Sequence, residues 1–154
     1  MQTMRPRRVR PVVQLDQTSC KSVIEEIKNG RVFFQRKIIT VSPGDSFEGI
    51  RFPGEINFSY SIFVDCRISF YRAVFPGSAF FVNTVFEKDV FFDYATFYGN
   101  TDFEDVLFKA KASFRWANLK GQFSTNDRAL SELLFRAKQG VFIPLTVART
   151  IVGE

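Results

Sequence analysis

The sequence predicts an all-β solenoid, in which short strands follow one another around a common axis. Three observations support this prediction. Aromatic residues recur regularly between Phe47 and Phe123, small or β-branched residues recur two positions before them, and glycines recur every 22 or 23 residues. Self-similarity with a period of about 20 residues is typical of solenoids. Helices are disfavoured because steps of five and six residues do not follow the period of about 3.6 residues that an amphipathic helix requires.

We call the large apolar residues that define this period the anchors. From Phe70 onward the anchors are five and six residues apart in turn, so every second anchor returns after 11 residues. Between Phe63 and Phe70 the step is seven, which indicates one inserted residue near Asp65-Cys66-Arg67. The anchors are Phe47, Phe52, Phe58, Phe63, Phe70, Phe75, Phe81, Phe86, Phe92, Phe97, Phe103, Phe108, Phe114 and Leu119, and those from Phe58 onward form the predicted core ladder.

Two further registers define the length of one coil. The thirteen residues two positions before the anchors, from Ile50 to Ala117, are all small or β-branched. Since alternate residues of a strand share one face, they are predicted to line the same interior. Glycines follow four anchors by two positions and are predicted to mark corners, where glycine adopts backbone angles that other residues resist. These glycines are Gly54, Gly77, Gly99 and Gly121. One coil therefore has about 22 residues and four short sides, and the repeat forms three to four coils.

The segments Ser61-Ile62-Phe63, Ala73-Val74-Phe75, Ala95-Thr96-Phe97 and Ala117-Asn118-Leu119 share one pattern: a small residue, any residue, then Phe or Leu. This pattern resembles the pentapeptide repeat family in its Phe-centred form, over about half of the chain. The resemblance implies a right-handed, four-sided β-helix. The sequence departs from the family pattern in that sides of six residues alternate with sides of five, and aromatic residues occupy several of the polar positions.

The chain divides into four predicted segments. Residues 1–21 form a basic, flexible tail with arginines at positions 5, 7, 8 and 10. Residues 22–46 form an N-terminal cap, with a helix from Ser22 to Asn29 that a Ser22–Glu25 capping box begins, followed by a strand-like stretch. Residues 47–123 form the β-helix. Caps are expected because an open solenoid end would expose unpaired backbone groups.

The fourth segment, residues 124–154, is predicted to contain a second capping helix from Ser124 to Gln139. Its apolar face consists of Leu130, Leu133, Leu134 and Ala137. The apolar tail that follows, Val141 to Val152, either folds back along the solenoid or pairs with a second chain.

Composition argues against catalysis. The chain contains no histidine, so the commonest general base and metal ligand are missing, and no glycine-rich phosphate loop is found. Cys20 and Cys66 match neither a metal spacing nor a disulfide framework, which predicts a reduced, cytoplasmic setting. No apolar run approaches the roughly 18 residues of a membrane span. We therefore expect no enzymatic activity, cofactor, metal or membrane partner.

One side of the solenoid is the candidate interaction face. If Phe70, Phe92 and Phe114 stack, the two residues after each of them point outward, and Phe91 projects from the same side. Aromatic residues together with arginine are typical of binding hot spots. Two alternatives remain: the C-terminal tail covers this face, or the ladder is purely structural. The predicted face comprises Tyr71, Arg72, Phe91, Asp93, Tyr94, Arg115 and Trp116.

The leading functional hypothesis is a non-catalytic binding or scaffold protein. It would present a flat aromatic side to a protein partner, or to itself as a homodimer. A second hypothesis follows from the resemblance, since some family members inhibit or protect type II topoisomerases by mimicking duplex DNA. Residues 45–123 carry eight Lys and Arg against ten acidic residues, a weak charge for such mimicry. A third hypothesis is single-stranded nucleic-acid binding through the arginine-rich tail and the aromatic face.

Overall fold

A computed structural model describes residues 14–139 and the two-residue strand Thr146–Val147. It shows a solenoid of parallel strands with about 5 turns, a spacing of ~22 residues and two short helices. The arginine-rich segment, residues 1–13, lies outside the described residues, as does the predicted C-terminal tail apart from that strand.

Most strands are two residues long because each side of the coil is short. The helices are α1 (Cys20–Lys28) and α2 (Arg128–Lys138). The strands are β1 (Asp16–Ser19), β2 (Lys37–Thr40), β3 (Ile56–Asn57), β4 (Ile62–Val64), β5 (Ile68–Ser69), β6 (Val74–Phe75), β7 (Ala79–Phe80), β8 (Val85–Phe86), β9 (Val90–Phe91), β10 (Thr96–Phe97), β11 (Thr101–Asp102), β12 (Leu107–Phe108), β13 (Ala112–Ser113), β14 (Asn118–Leu119), β15 (Phe123–Ser124) and β16 (Thr146–Val147).

The strands form four sheets, which are the four sides of the coil. We number the sides in the order in which the chain visits them from β4 onward. The first side contains β1, β2, β4, β8 and β12, the second β5, β9, β13 and β16, the third β6, β10 and β14, and the fourth β3, β7, β11 and β15. Strands one coil apart pair in parallel, as Thr96 does with Val74 and with Asn118. The four-sided β-helix predicted from the sequence is confirmed.

The interior is a packed column of aromatic rings. All fourteen anchors are buried. Rings of successive coils stack face to face, with centroids 4.5 Å apart for Phe75 and Phe97 and 4.7 Å apart for Phe70 and Phe92. Rings on different sides of one coil meet edge to face, as Phe81 meets Phe92. Both arrangements are among those that aromatic pairs favour, and the small residues between the anchors leave room for them.

The prediction of three to four coils is too low, because the solenoid begins before Phe47. Phe34 stacks on Phe58 with centroids 5.6 Å apart, and Ile39 of β2 pairs with Phe63 of β4. Phe34 and Ile39 are both buried. The anchor spacing does not reveal this coil, because Ile39 and Phe47 are eight residues apart and the regular steps are five and six. A hydrogen-bonded turn, in which the Asp45 N–H donates to the Ser42 carbonyl, lies in this longer step.

Turn geometry explains why steps of five and six residues alternate. In the five-residue step after Phe92, the Ala95 N–H donates to the Phe92 carbonyl at 3.1 Å, and Tyr94 has a φ of 59°. This bond together with a positive φ at the third residue defines a compact type II turn. The six-residue steps, as after Phe75 and Phe86, lack a bond of this kind in the part of the chain that the structure describes.

The stacked glycines lie at corners, as predicted, but the predicted reason is wrong. Their φ angles are not positive, whereas those of Gly30, Gly44 and Gly49 are. A Cβ on Gly99 would lie 2.4 Å from the carbonyl carbon of Gly77. Glycine is therefore required because the backbones of successive coils touch at the corner between the third and fourth sides.

The N-terminal cap begins earlier than predicted. Helix α1 starts at Cys20, and Ser19 is its N-cap, with the hydroxyl accepting a hydrogen bond from the Ser22 N–H at 3.1 Å. The capping box predicted from Ser22 is therefore wrong. Strand β1 lies inside the segment predicted to be a flexible tail and pairs with β2. The buried residues of α1 join the solenoid core.

At the other end, the predicted apolar face of α2 is buried, and the Asp127 carboxylate caps the helix by accepting the Leu130 N–H at 2.8 Å. The helix packs against β14 of the last coil. Strand β16 pairs antiparallel with Ala112 and Ser113 of the same chain. These two residues of the predicted tail therefore lie on the second side of their own solenoid.

The two cysteines are expected to differ in reactivity. Burial, and secondarily the negative charge of Asp45, raises the pKa of Cys20 from 9.0 to about 12. Because the thiolate is the nucleophile, a disulfide reagent at about pH 8 should modify the half-buried Cys66 and spare Cys20 until the chain is unfolded. Because this pKa is higher in the folded chain than in the unfolded chain, ionisation of the Cys20 thiol favours unfolding. The contribution of Cys20 to stability is therefore fully present below pH 9 and is lost as the pH rises toward 12.

Thiol release can be followed by absorbance, with Cys66→Ser as the control that should remove the reaction of the folded chain. Equal rates at both cysteines in the folded wild type would contradict the burial of Cys20.

Candidate interaction surface

The predicted aromatic ladder lies at the corner between the second and third sides, and we call Tyr71, Arg72, Tyr94 and Trp116 the aromatic corner. The Tyr71 and Tyr94 rings meet edge to face with centroids 5.5 Å apart, and Tyr94 stacks on Trp116 at 6.2 Å. The Arg72 guanidinium lies 5.3 Å from the Tyr71 ring centroid and 5.7 Å from that of Tyr94. The four side chains therefore form one cation–aromatic surface.

The prediction of a flat aromatic side is corrected by the turn geometry. Arg72, Tyr94 and Trp116 each occupy the third position of a type II turn, with φ values of 56°, 59° and 60°. Their side chains therefore project from a corner. In the left-handed region a residue other than glycine, asparagine or aspartate costs roughly 1–2 kcal/mol.

The corner between the fourth and first sides offers a comparison within the same molecule. Its left-handed residues are Arg36, Tyr60, Asn83 and Asp105, with φ values of 57°, 63°, 52° and 54°. Asparagine and aspartate suit this conformation, since their short polar side chains tolerate it. The aromatic corner instead places three large side chains at three successive strained positions. Ring stacking recovers only about 0.5–1.5 kcal/mol per pair. Turn formation alone does not explain this choice of residues.

A groove of about 840 Å³ lies between the first and second sides, and we call it the insertion groove. Asp65, Cys66 and Arg67, where the repeat has its one inserted residue, line it, with Tyr71 and Phe91 on the second side. Asp65 has a φ of 81°, and the Cys66 N–H donates to the Val64 carbonyl at 3.1 Å, so the insertion is a tight local turn. The extra residue in the repeat is thus placed at the groove.

The insertion groove is acidic. Five of the ten acidic residues in segment 45–123 line it, against the two cations Arg67 and Lys88. None of the five carboxylates forms a salt bridge with a lysine or arginine of the described residues. The groove therefore carries an unbalanced negative charge in a chain whose net charge is +5. The five residues are Asp45, Glu48, Asp65, Asp89 and Asp93.

Two of these carboxylates are fixed by the coil that follows. Asp89 Oδ1 accepts the Lys111 N–H at 3.0 Å, and Asp93 Oδ1 accepts the Arg115 N–H at 3.1 Å. Each bond spans 22 residues and therefore joins neighbouring coils. The repeat thus holds these charges at the surface in a regular position.

The seven residues predicted from the sequence fall on two adjoining features. Tyr71, Phe91 and Asp93 line the insertion groove, while Tyr71 also belongs to the aromatic corner with Arg72, Tyr94 and Trp116. Arg115 is exposed and is joined to Asp93 through its backbone N–H. Asp45, Glu48, Asp65 and Asp89 were not among the residues predicted from the sequence. The only feature of the sequence that points to these four carboxylates is the inserted residue, which interrupts the repeat close to the groove that they line.

Within the described residues there is no group of three or more His, Cys, Asp or Glu that could hold a metal ion. No helix in the described ranges is long and apolar enough to cross a membrane.

The fold and this surface define the class of protein, a β-solenoid that exposes an aromatic corner beside an acidic groove. Comparison with known families identifies the repeat itself. Residues 70–117 match the family model for pentapeptide repeats, in 9 copies. The chain thus contains pentapeptide repeats, as predicted, and the matched residues include the whole aromatic corner. No curated protein and no solved structure matches the chain.

Proposed function

We propose that this protein is a non-catalytic interaction scaffold that binds a protein partner through the aromatic corner. The observation that carries the proposal is the placement of Arg72, Tyr94 and Trp116 in three successive left-handed turns. Tyrosine, tryptophan and arginine are the residues most enriched in binding hot spots. The coils hold these side chains at a fixed spacing, so little conformational entropy remains to be lost on binding.

The partner is a different protein or a second copy of this chain. Two free thiols suit a reducing compartment, and the proposal places the protein in the cytoplasm. Topoisomerase inhibition and nucleic-acid binding remain predictions, and no comparison links the chain to either. Half of the acidic residues in segment 45–123 gather in the insertion groove, whereas DNA mimicry needs a continuous negative surface.

The double variant Tyr94→Asn/Trp116→Asn should keep the fold and lose the partner. Asparagine tolerates the left-handed turn, so relief of backbone strain offsets the lost stacking, and the melting temperature should change by less than about 4 °C. Loss of two hot-spot residues should weaken binding by about 30-fold or more. Affinity purification with the full chain followed by mass spectrometry would identify the partner. Calorimetry with the purified partner, and light scattering for self-association, would measure the change.

Tyr60→Asn is the matched control, because Tyr60 is also exposed, has a φ of 63° and occupies the other turn corner. It should leave binding unchanged. A partner that binds the double variant as tightly as the wild type would refute the proposal.

A further inference from the structure

We infer that the insertion groove binds an extended, basic segment of a partner polypeptide. This inference deepens the proposed function and rests on it, since it gives the chemistry of the partner at the surface that adjoins the aromatic corner.

The shape of the groove suits a peptide. Its volume of about 840 Å³ lies within the range of about 300–1,000 Å³ that is usual for ligand pockets. It opens along the second side, where Ser69 of β5 and Phe91 of β9 are neighbours in the sheet and both line the groove. The half-buried Phe91 and Tyr71 rings supply an apolar contact on which the methylene groups of lysine or arginine can pack.

Charge determines the kind of occupant. Five carboxylates face two cations, and no carboxylate is in an ion pair with the described residues. A concave surface lined by one sign of charge concentrates ligands of the opposite sign. The carboxylates come from several coils, and the described residues contain no cluster fit for a metal ion. A ligand with several spaced cations therefore fits better than a single ion.

Existing contacts show that the groove rings accept cations. The Lys111 Nζ lies 5.8 Å from the Phe91 ring centroid, and the Arg72 guanidinium lies 5.3 Å from that of Tyr71. Neither cation forms a salt bridge with a groove carboxylate among the described residues. These cations lie beside the rings and leave the carboxylates without a salt bridge, so a basic segment would find unpaired negative charge next to rings that already contact cations.

The test uses a fluorescent nine-residue peptide of alternating arginine and alanine, titrated into the full chain by anisotropy. Glu48→Gln/Asp65→Asn is the groove variant. Neither side chain accepts a hydrogen bond from the described residues, and asparagine suits the φ of 81° at Asp65, so the fold should be unaffected. Removal of these two charges should weaken binding about fivefold. Raising the salt from about 50 to about 300 mM should weaken wild-type binding as well.

Glu55→Gln/Glu87→Gln is the matched control, because it removes the same charge outside the groove from carboxylates that form no salt bridge with the described residues. It should change the affinity by less than about twofold. An equal loss in the control and groove variants would show non-specific attraction and overturn the inference. In a further variant, four arginines of the chain's own first segment are changed to Gln: Arg5, Arg7, Arg8 and Arg10. If the peptide binds only to this variant, that segment is the occupant of the groove, and the inference is overturned. A change of solution mass in the groove variant would assign the groove to a second copy and would equally overturn the inference.

The test separates this inference from the proposed function. The corner variant Tyr94→Asn/Trp116→Asn should bind the peptide within about twofold of the wild type. If the corner variant loses the protein partner while the groove variant binds the peptide as the wild type does, the proposed function stands and this inference fails.

Discussion

Replacement of Gly99 by alanine is expected to lower the free energy of unfolding by about 3 kcal/mol or more. The new methyl group would lie 2.4 Å from the Gly77 carbonyl carbon, 2.5 Å from its oxygen and 2.7 Å from the Ser78 nitrogen. All three are backbone atoms, so no rotamer change can relieve the overlap. The coils must separate at this corner, where β10 pairs with β6 and β11 pairs with β7.

Gly54→Ala is the matched control for this prediction. Gly54 has the same place in the first coil, but a Cβ there would meet nothing within 4 Å, and its φ is not positive. Its replacement should change stability by less than about 0.5 kcal/mol. Urea unfolding of both variants, followed by circular dichroism, would measure the difference. Equal stabilities would show that the coils do not touch at this corner.

Phe92→Ala is expected to destabilise the fold by about 3–5 kcal/mol. Phe92 is fully buried and stacks between Phe70 and Phe114, with centroids 4.7 and 4.9 Å away. It also meets Phe81 and Phe103 edge to face. Removal of the ring leaves a cavity in the middle of the stack, and the neighbouring rings cannot close it because the sheets fix their spacing.

Two controls sharpen this prediction. Phe92→Leu should cost less than about 1.5 kcal/mol, because leucine already serves as an anchor at position 119. Tyr98→Ala removes a ring that is 53% exposed and should cost less than about 0.5 kcal/mol. The same unfolding experiment applies, and an alanine at position 92 that costs no more than one at position 98 would contradict the stacked core.

The solenoid could be predicted from the sequence because the geometry of the coil determines the spacing of the large buried side chains. Each side must return one anchor to the interior, so the anchors repeat with the coil. The first coil could not be predicted, because the turn at Ser42–Asp45 lengthens the step between Ile39 and Phe47. The role of Gly99 could not be predicted either. Glycine is required both where two backbones touch and where the backbone angle φ is positive, and the sequence does not distinguish these two causes.

The candidate site was predictable in part for a related reason. The aromatic corner repeats every 22 residues and could be read from the positions of Arg72, Tyr94 and Trp116. Its place on a corner depends on the turn type, which the spacing of the anchors does not reveal. The acidic groove joins Asp45 to Asp89, which are two coils apart in sequence and come together only where the insertion interrupts the repeat.

Site-specific photocrosslinking would show whether the aromatic corner is an interaction surface. A photoreactive phenylalanine analogue would replace Tyr94 in one full-length chain and Tyr60 in another, both being exposed residues in left-handed turns. Both chains would be irradiated in a lysate of the organism from which the protein derives. We expect one discrete adduct from position 94, with a partner or a second copy, and none from position 60. Equal adducts from both positions, or none from position 94, would contradict this expectation.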